Sequence, residues 1–384
     1  MHSRERLLAA LRGEKVDRLP WVPLLDGYYM TAQPPGTDIL DAYREVGADV
    51  MERAVWTYGW NLSLPRDPEG LQQLEAGEVV RFVDEGVTVT VQLRSEPRGR
   101  MLKRTYEIPG KMLTERALYT EQSPYIPFPV EMLVKNSEDL EAYQYIVSRR
   151  KFFPNYEAFA REDERIGEEG IATDAGQTTP IQELLQHIIG IEPFYTTFYT
   201  DHLSQVESVM RTMHQKNLEA YELIAQSPAE VVIGYENTST SYISPTIYGK
   251  YVSPCINDYA DLLHERKKLY LTHRCGLLKG LVELIRDEQD DGVVDICPAP
   301  TGDLSLWEAK RAWPDKVVIG GIDPTSLTSW SVERLKTYVG EVQRQLAECT
   351  GVMLGSGDAV PKNAKLENLQ AVTDVVRSWQ GARF

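Results

Sequence analysis

The chain has 384 residues, of which 42% are hydrophobic and 26% are charged, and this composition is sufficient for a large folded core. Its formal net charge of -16 argues against nucleic-acid and anionic-membrane partners, because both require a basic surface. No apolar run has the length of a membrane-spanning helix or the character of a signal peptide, so we expect a cytoplasmic protein. The four cysteines do not resemble a disulfide framework and are expected to be thiols or metal ligands.

Residues 3–12 predict an amphipathic helix with Ser3 as its N-cap and Gly13 as the residue that ends it. After this helix, short apolar runs alternate with helical patterns. Eight such runs are predicted strands, at 21–24, 50–56, 171–174, 231–235, 269–272, 293–296, 317–319 and 352–354. Repeated βα units indicate a parallel sheet, and eight units are the number at which such a sheet closes. We therefore predict an α/β fold, a single (β/α)8 TIM barrel domain over residues 1–384 with an N-terminal helical extension.

Residues 79–118 break this alternation. Apolar and polar residues alternate there around the turn sequences DEG at 84–86 and PRG at 97–99, which is typical of antiparallel hairpins. We expect a β-hairpin insertion between the second and third barrel strands. It is either a functional loop or a surface addition, and the pattern favours neither.

His273 is the strongest candidate for chemistry, because it alone of the six histidines follows a predicted strand. A parallel barrel places its reactive groups after the strand ends. Cys275 projects to the same side of an extended segment, so the two side chains can bind one metal ion. Glu236 and Asp358 follow other strands and are the expected companions, with Cys297 as an alternative ligand. The competing interpretation is a buried histidine beside an inert thiol.

Other polar and aromatic residues also follow predicted strands. We assign a catalytic role to Asp174 together with Glu236 and His273, although acidic residues at strand ends, Asp26 and Asp323 among them, often cap the next helix. The aromatic residues after the first two strands are Tyr28, Tyr29, Trp56, Tyr58 and Trp60. They are predicted to line the mouth of the barrel or to be core packing. Tyr28, Trp56, Tyr58 and Asn237 are the predicted cofactor-binding residues.

Several segments resemble the uroporphyrinogen decarboxylase superfamily. They are RERLLAALRGEKVDRLPWVP at the start, THRCG at 272–276, GGIDP at 320–324, and the stretch from Pro361 to Asn368. Decarboxylases of this superfamily carry an arginine-rich segment that contacts the porphyrinogen carboxylates. Here the corresponding region has no arginine between Asp26 and Arg44, which counts against decarboxylation of uroporphyrinogen.

The resemblance is closer to the zinc- and cobalamin-dependent methyltransferase branch, whose zinc site resembles His-x-Cys on one loop plus a further ligand, usually cysteine, after the last strand. His273 and Cys275 match the first part. Ser356-Gly357-Asp358 stands where SGC is expected, so the resemblance implies that Asp358, Glu236 or Cys297 completes the site. Oxygen ligands leave zinc more Lewis acidic than thiolates do, which favours demethylation of a methyl ether.

The first functional hypothesis is therefore a zinc-containing methyltransferase that moves a methyl group from a methoxylated aromatic donor to the Co(I) of a corrinoid-binding protein. The second is transfer from a methyl-corrinoid to a thiol. The third is a metal-free decarboxylase-like lyase, and the fourth is a non-catalytic barrel that binds a tetrapyrrole. The expected partners are a corrinoid protein and a small methylated substrate, and a homodimer is left open.

Overall fold

The structure is a computed structural model that describes residues 1–25, 27–53, 79–123 and 127–379. Its strands, in chain order, are β1 (Val50–Arg53), β2 (Val80–Asp84), β3 (Thr88–Glu96), β4 (Gly99–Ile108), β5 (Lys111–Tyr119), β6 (Phe128–Glu131), β7 (Arg150–Pro154), β8 (Gly170–Gly176), β9 (Val231–Tyr235), β10 (Leu269–His273), β11 (Gly292–Ile296), β12 (Val317–Gly321) and β13 (Val352–Gly355).

The longer α-helices pack around these strands. Those of seven or more residues are Ser3–Leu11, Ile39–Val46, Ser137–Ser148, Tyr156–Ile166, Leu203–Gln226, Pro245–Tyr251, Ser253–His264, Leu306–Ala312, Val332–Leu346 and Leu366–Ser378. Shorter α-helices are Gly27–Met30, Pro180–Glu183, Ile191–Pro193, Tyr199–Asp201, Val282–Arg286 and Ser326–Ser329, and the segments Leu184–Ile188 and Phe194–Phe198 are π-helical. No helix in the described ranges is long and apolar enough to cross a membrane.

Seven parallel strands form a curled sheet in the order β1-β8-β9-β10-β11-β12-β13, which confirms the predicted barrel-like fold. The predicted first strand is reduced to two isolated parallel bridges, Trp21 with Leu354 and Leu24 with Ala359. Residues 20–24 still connect the sheet edges, because Val22 N donates to the Leu354 carbonyl and Asp49 N donates to the Trp21 carbonyl, both at 2.9 Å. Proline at 20 and 23 removes two backbone donors, which explains why no continuous ladder forms.

The insertion is antiparallel, as predicted, but it is larger and is connected differently. The order β3-β4-β5-β6 forms one sheet, so its hairpins extend beyond residue 118 to Glu131. The predicted hairpin around 84–86 is wrong. β2 pairs instead with β7, where the Arg150 guanidinium binds Asp84 through Nε and Nη2 at 2.9 and 3.1 Å. Antiparallel pairing across such a separation leaves no trace in a local alternation pattern, so the sequence did not predict it.

The N-terminal helix was correctly predicted except for its cap. His2 is the N-cap, and its Nδ1 accepts from the Glu5 backbone N–H at 3.3 Å. The Ser3 hydroxyl instead donates to Asp49 Oδ1 at 2.7 Å. Asp49 is fully buried and also accepts from Arg6 and Arg18, so this carboxylate draws the start of the helix onto the barrel.

The two faces of β10 have different surroundings, and this positions the site. The Tyr270 hydroxyl lies 3.2 Å from the Tyr221 hydroxyl on the helix Leu203–Gln226, so Tyr270 faces the helical layer. Because side chains alternate along a strand, Thr272 shares that face whereas His273 faces the interior of the barrel. His273 is the last residue of β10, at the carboxyl end of the parallel sheet.

Candidate metal centre

Three of the four predicted metal ligands come together at the carboxyl end of the sheet. The ligand atoms of His273, Cys275 and Asp358 all lie within 4.8 Å of one another. His273 is buried, and the other two side chains are half-buried. Two of these residues end or follow β10 and the third follows β13, so the parallel topology brings them to one place from distant parts of the chain.

A buried carboxylate orients the imidazole of His273. Its Nδ1 lies 2.5 Å from Asp295 Oδ2, and the same oxygen accepts a hydrogen bond from Arg53 Nη1. With Nδ1 engaged, Nε2 is the nitrogen left to bind a metal, which is the usual carboxylate–histidine arrangement behind a ligating imidazole. Although burial alone would raise it, the charge of Arg53 and the hydrogen bond from His273 hold the pKa of Asp295 well below its usual range.

Asp358 is presented by a tight loop that requires glycine before it. Gly357 has a φ of +66°, and an added Cβ would lie 2.8 Å from the Ile322 carbonyl oxygen and 3.1 Å from Cys297 Sγ. The Ser356 hydroxyl accepts from Leu24 N at 3.0 Å and donates to the Asp358 carbonyl at 2.6 Å. The SGD sequence is therefore a rigid turn that points the aspartate toward Cys275.

The electrostatic environment of Cys275 suits a cation. Burial, and then the negative charges of Asp358 and Asp295, raise the pKa of the Cys275 thiol well above its ordinary value. A divalent cation between the thiolate and the Asp358 carboxylate would neutralise both charges and favour the thiolate. One imidazole, one thiolate and one carboxylate form a set of three protein ligands, which is the number that catalytic zinc sites use while one position stays open. The residues present therefore fit zinc.

Glu236 is not part of this group, although its backbone contacts His273. Its Oε2 accepts from the Thr179 hydroxyl at 2.5 Å and its Oε1 accepts from Thr179 N at 3.0 Å, while its own backbone N–H donates to the His273 carbonyl at 3.2 Å. Burial raises the pKa of Glu236 to about 7, despite the opposing hydrogen bonds from Thr179. The Glu236 carboxyl is therefore held by Thr179 and lies within the electrostatic influence of Arg274, and only its backbone contacts His273.

Asn237 contacts the cluster more directly. Its Oδ1 lies 4.0 Å from Cys275 Sγ, and its Nδ2 donates to Gln186 Oε1 at 2.9 Å. Asn237 has a φ of +43°, and Gln186 belongs to the π-helical segment Leu184–Ile188. A positive φ at a residue other than glycine and a π-helical turn are both uncommon backbone conformations, and both occur often at functional sites.

Cys297 and Asp323 form a separate pair behind the Ser356–Asp358 loop. Cys297 Sγ lies 3.7 Å from Asp323 Oδ2, and Asp323 Oδ1 accepts from Thr325 N at 2.8 Å. Asp323 therefore anchors its own turn, as the capping interpretation expected. Burial, and then the charge of Asp323, raise the pKa of Cys297 to about 12, so this thiol is protonated.

Asp174 does not join the cluster. It shares a face of β8 with Gly176, where an added Cβ would lie 2.4 Å from the Tyr221 hydroxyl, so Asp174 points toward the helical layer. Its Oδ1 accepts from Val79 N at 3.4 Å, and burial raises the pKa of its carboxyl to about 7.

The predicted aromatic residues are only partly described. The Tyr28 hydroxyl lies 3.0 Å from Ser123 Oγ, which connects the helix Gly27–Met30 to the insertion, and Tyr29 is part of the core. Trp56, Tyr58, Trp60 and Asp26 lie outside the described residues.

Arg53 and Asp295 are site residues that the sequence reasoning missed. Asp295 interrupts the apolar strand GVVDI with a charge, and Arg53 ends the strand VMER directly after a second charged residue, Glu52. Asp295 also has a φ of +66° at an irregularity between β11 and β12. A charge inside a strand that is otherwise apolar is the signal that could have identified Asp295, because such a group is buried only with a partner.

The architecture defines an α/β barrel with a candidate metal centre at the carboxyl ends of its strands. Residues 120–379 match the family described as uroporphyrinogen decarboxylase (URO-D). The chain belongs to this family, in agreement with the resemblance of its motifs.

The chain is also similar to solved structures. A methyltransferase from Methanosarcina mazei aligns with a TM-score of 0.62 at 14% identity, over 98% of both chains. A D-psicose 3-epimerase from Clostridium cellulolyticum H10 has a TM-score of 0.34 at 12% identity, over 63% of this chain and 86% of that chain. A GH5_18 protein from Bifidobacterium longum subsp. infantis has a TM-score of 0.37 at 15% identity, over 60% of this chain and 67% of that chain. No functionally curated protein matches the sequence.

Proposed function

We propose that the protein is a zinc-dependent corrinoid methyltransferase, which moves a methyl group from a methoxylated aromatic donor to the Co(I) of a corrinoid carried by a partner protein. The observation that carries this proposal is the convergence of His273, Cys275 and Asp358 within 4.8 Å, with Asp295 behind the imidazole. Membership of the URO-D family and the fold shared with a methyltransferase from Methanosarcina mazei support it.

The ligand set favours the demethylating direction. Zinc bound here would act as a Lewis acid on the ether oxygen that loses its methyl group. Asp358 replaces a thiolate by a harder and less electron-donating oxygen, so the centre keeps more Lewis acidity than a site with two cysteines. Transfer from a methyl-corrinoid to a thiol is the alternative, because the same centre could activate a thiol.

The neighbouring residues would support this chemistry in separate ways. Asp295 holds the tautomer of His273 that directs Nε2 toward the metal. Glu236 remains a proposed catalytic residue, because a carboxyl with a pKa near 7 would exchange a proton readily at neutral pH. Asn237 and Tyr28 remain proposed contacts of the substrate or of the corrinoid.

Zinc stoichiometry and methyl transfer test the proposal together. Purified protein, stripped and reloaded, is expected to bind one zinc per chain and to consume cob(I)alamin when a panel of methoxylated arenes is supplied. His273→Ala and Cys275→Ala are expected to lose both zinc and transfer while staying folded. Cys349→Ala is the matched control, because this half-buried thiol is outside the cluster.

Three results would decide against the proposal. Protein that binds no zinc would favour a metal-free lyase. Zinc retained by both ligand variants would place the metal elsewhere. Activity confined to methylcobalamin and a small thiol would reverse the direction of transfer.

A further inference from the structure

Arg53 is buried in the barrel interior with one edge of its guanidinium unpaired. Its side chain is 1% exposed, and Nη1 donates to Asp295 Oδ2. Nε and Nη2 have no hydrogen-bond partner within the described ranges. These two nitrogens carry the parallel N–H bonds that form one edge of the guanidinium fork.

This chain uses the same edge elsewhere to bind carboxylates. Arg6 binds Asp17 through Nε and Nη2 at 2.7 and 2.9 Å. Arg44 binds Glu169 through these atoms at 2.8 and 2.7 Å. Arg150 binds Asp84 in the same way. Two parallel bonds to the two oxygens of a carboxylate are the geometry for which this edge is suited.

The surroundings of Arg53 keep the guanidinium fixed and close to the candidate metal centre. Asp295 Oδ2 accepts from Arg53 Nη1 and also bonds to His273 Nδ1, so the guanidinium and the imidazole share one oxygen atom. The second oxygen, Oδ1, has no partner in the described part of the chain. An arginine placed only to balance Asp295 would gain more from a second bond to that oxygen, because unpaired buried N–H groups cost free energy.

We propose that the Nε–Nη2 edge of Arg53 binds a carboxylate group of the substrate. This inference rests on the proposed function and narrows its substrate class to methyl donors that bear a carboxylate, such as methoxybenzoates. Arg53 is then a substrate-binding residue, and Asp295 positions it and His273 together. A neutral donor of the same shape would leave the guanidinium edge unpaired and would bind more weakly.

Ligand binding without the corrinoid protein tests this directly. Zinc-loaded protein is titrated by calorimetry with 2-, 3- and 4-methoxybenzoate and with the three matching methoxybenzamides. At least one benzoate is expected to bind about 10- to 100-fold more tightly than its amide, as expected for a bidentate charged hydrogen bond. Arg53→Lys keeps the charge but removes the fork, and it is expected to lose this preference. Arg44→Lys, at an exposed arginine with the same fork geometry, is expected to keep it.

A second measurement uses the wild-type chain, in case Arg53→Lys does not fold. The Nε–H resonance of Arg53 is expected to shift when the preferred benzoate is added and to stay in place when its amide is added. Equal affinity for benzoates and amides, an unshifted resonance, or an Arg53→Lys variant that keeps the preference would overturn the proposal. No methyl transfer is measured, so failure here leaves the zinc and transfer results unaffected. If the protein takes up no zinc, the same titrations are made on the protein without zinc, and the preference for benzoates over amides is still read from them.

Discussion

His273 and Arg274 are consecutive residues that begin two buried ionic networks on opposite faces of the sheet. On the helical side, Arg274 Nη2 lies 2.5 Å from Glu288 Oε2 and 3.5 Å from Asp290 Oδ2. Lys316 Nζ adds a second positive charge 2.7 Å from Asp290 Oδ1. Two cations thus face two carboxylates, and the network is enclosed between sheet and helices.

The network on the interior face has different chemistry. One carboxylate, Asp295, serves both Arg53 and His273, and the imidazole presents its other nitrogen to Cys275 and Asp358. Among the described residues, neither arginine has a partner for two of its nitrogens. Those of Arg274 are Nε and Nη1, which do not share a fork edge, whereas those of Arg53 do. The comparison indicates that burial of charge alone does not identify a site. The arrangement of the hydrogen-bonding groups that have no partner is what distinguishes Arg53 from Arg274.

The largest expected effect concerns the helical side. Arg274→Ala removes the guanidinium between Glu288 and Asp290, and we expect the free energy of unfolding to fall by about 3–5 kcal/mol, because buried carboxylates lose their partner. Urea unfolding measures this loss. Zinc per folded chain is expected to stay unchanged. The exposed control Arg266→Ala is expected to change stability by less than about 0.5 kcal/mol. Loss of zinc in the folded Arg274 variant would show that the two networks are coupled.

Asp174 gives a pH-dependent test on the same side of the sheet. Its folded pKa is raised to about 7, so its contribution to stability is present below the unfolded pKa of about 4 and is lost as the pH rises through 7. Asp174→Asn cannot ionise. We therefore expect the variant to gain stability relative to wild type between about pH 4 and 7, by a few kcal/mol in total, and the difference to level off above that range.

Urea unfolding of both proteins at several pH values, together with methyl transfer at pH 7, is the measurement. A difference in stability that does not depend on pH would mean that the carboxyl is not desolvated as the structure indicates. Loss of transfer in a stable variant would support the catalytic role that the sequence predicted for Asp174.

A smaller effect, on zinc affinity, is expected from substitution of Asp295, which hydrogen-bonds to His273. Asp295→Asn keeps the shape but weakens the hydrogen bond that orients the imidazole, so zinc affinity is expected to fall about 10- to 100-fold. Competition with a chelator of known affinity measures this change. Asp323→Asn is the control, because its carboxylate follows a neighbouring strand but binds Thr325 N and Thr301 N rather than His273. Unchanged zinc affinity in Asp295→Asn would mean that the Asp295 carboxylate does not help His273 to bind zinc.

The smallest effect is expected at Cys297, the alternative ligand. Cys297→Ser should change zinc affinity by less than about twofold, since this thiol lies behind the Ser356–Asp358 loop and outside the group of His273, Cys275 and Asp358. The same chelator competition applies. A tenfold loss of affinity would mean that Cys297 replaces Asp358 in the metal-bound protein.

The fold was largely predictable because parallel barrel strands are buried on both faces and form continuous apolar runs, such as Val231–Tyr235. The first strand was harder to predict, because residues around Trp21 pair only through isolated bridges. The pairing of β2 with β7 was not predicted, because it joins segments far apart in sequence.

The candidate site was predictable to the extent that strand ends define it. His273 and Cys275 end or follow β10 whereas Asp358 follows β13, and parallel topology alone places the ends of these two strands at one edge. Glu236 follows a strand too, but a hydrogen bond from Thr179 determines where its carboxyl points, and no sequence pattern gives that contact. The charge of Asp295 within an apolar strand was visible in the sequence, but its contact with Arg53 was not, because it depends on the folded sheet bringing β1 near β11.

X-ray absorption at the zinc edge of the loaded protein tests the central claim most directly, because it counts the sulfur ligands. We predict one sulfur at about 2.3 Å with nitrogen and oxygen ligands at about 2.0–2.2 Å, and a Cys275→Ser variant whose residual zinc has no sulfur. Protein that takes up no zinc, or a sulfur signal that persists in Cys275→Ser, would contradict the site formed by His273, Cys275 and Asp358.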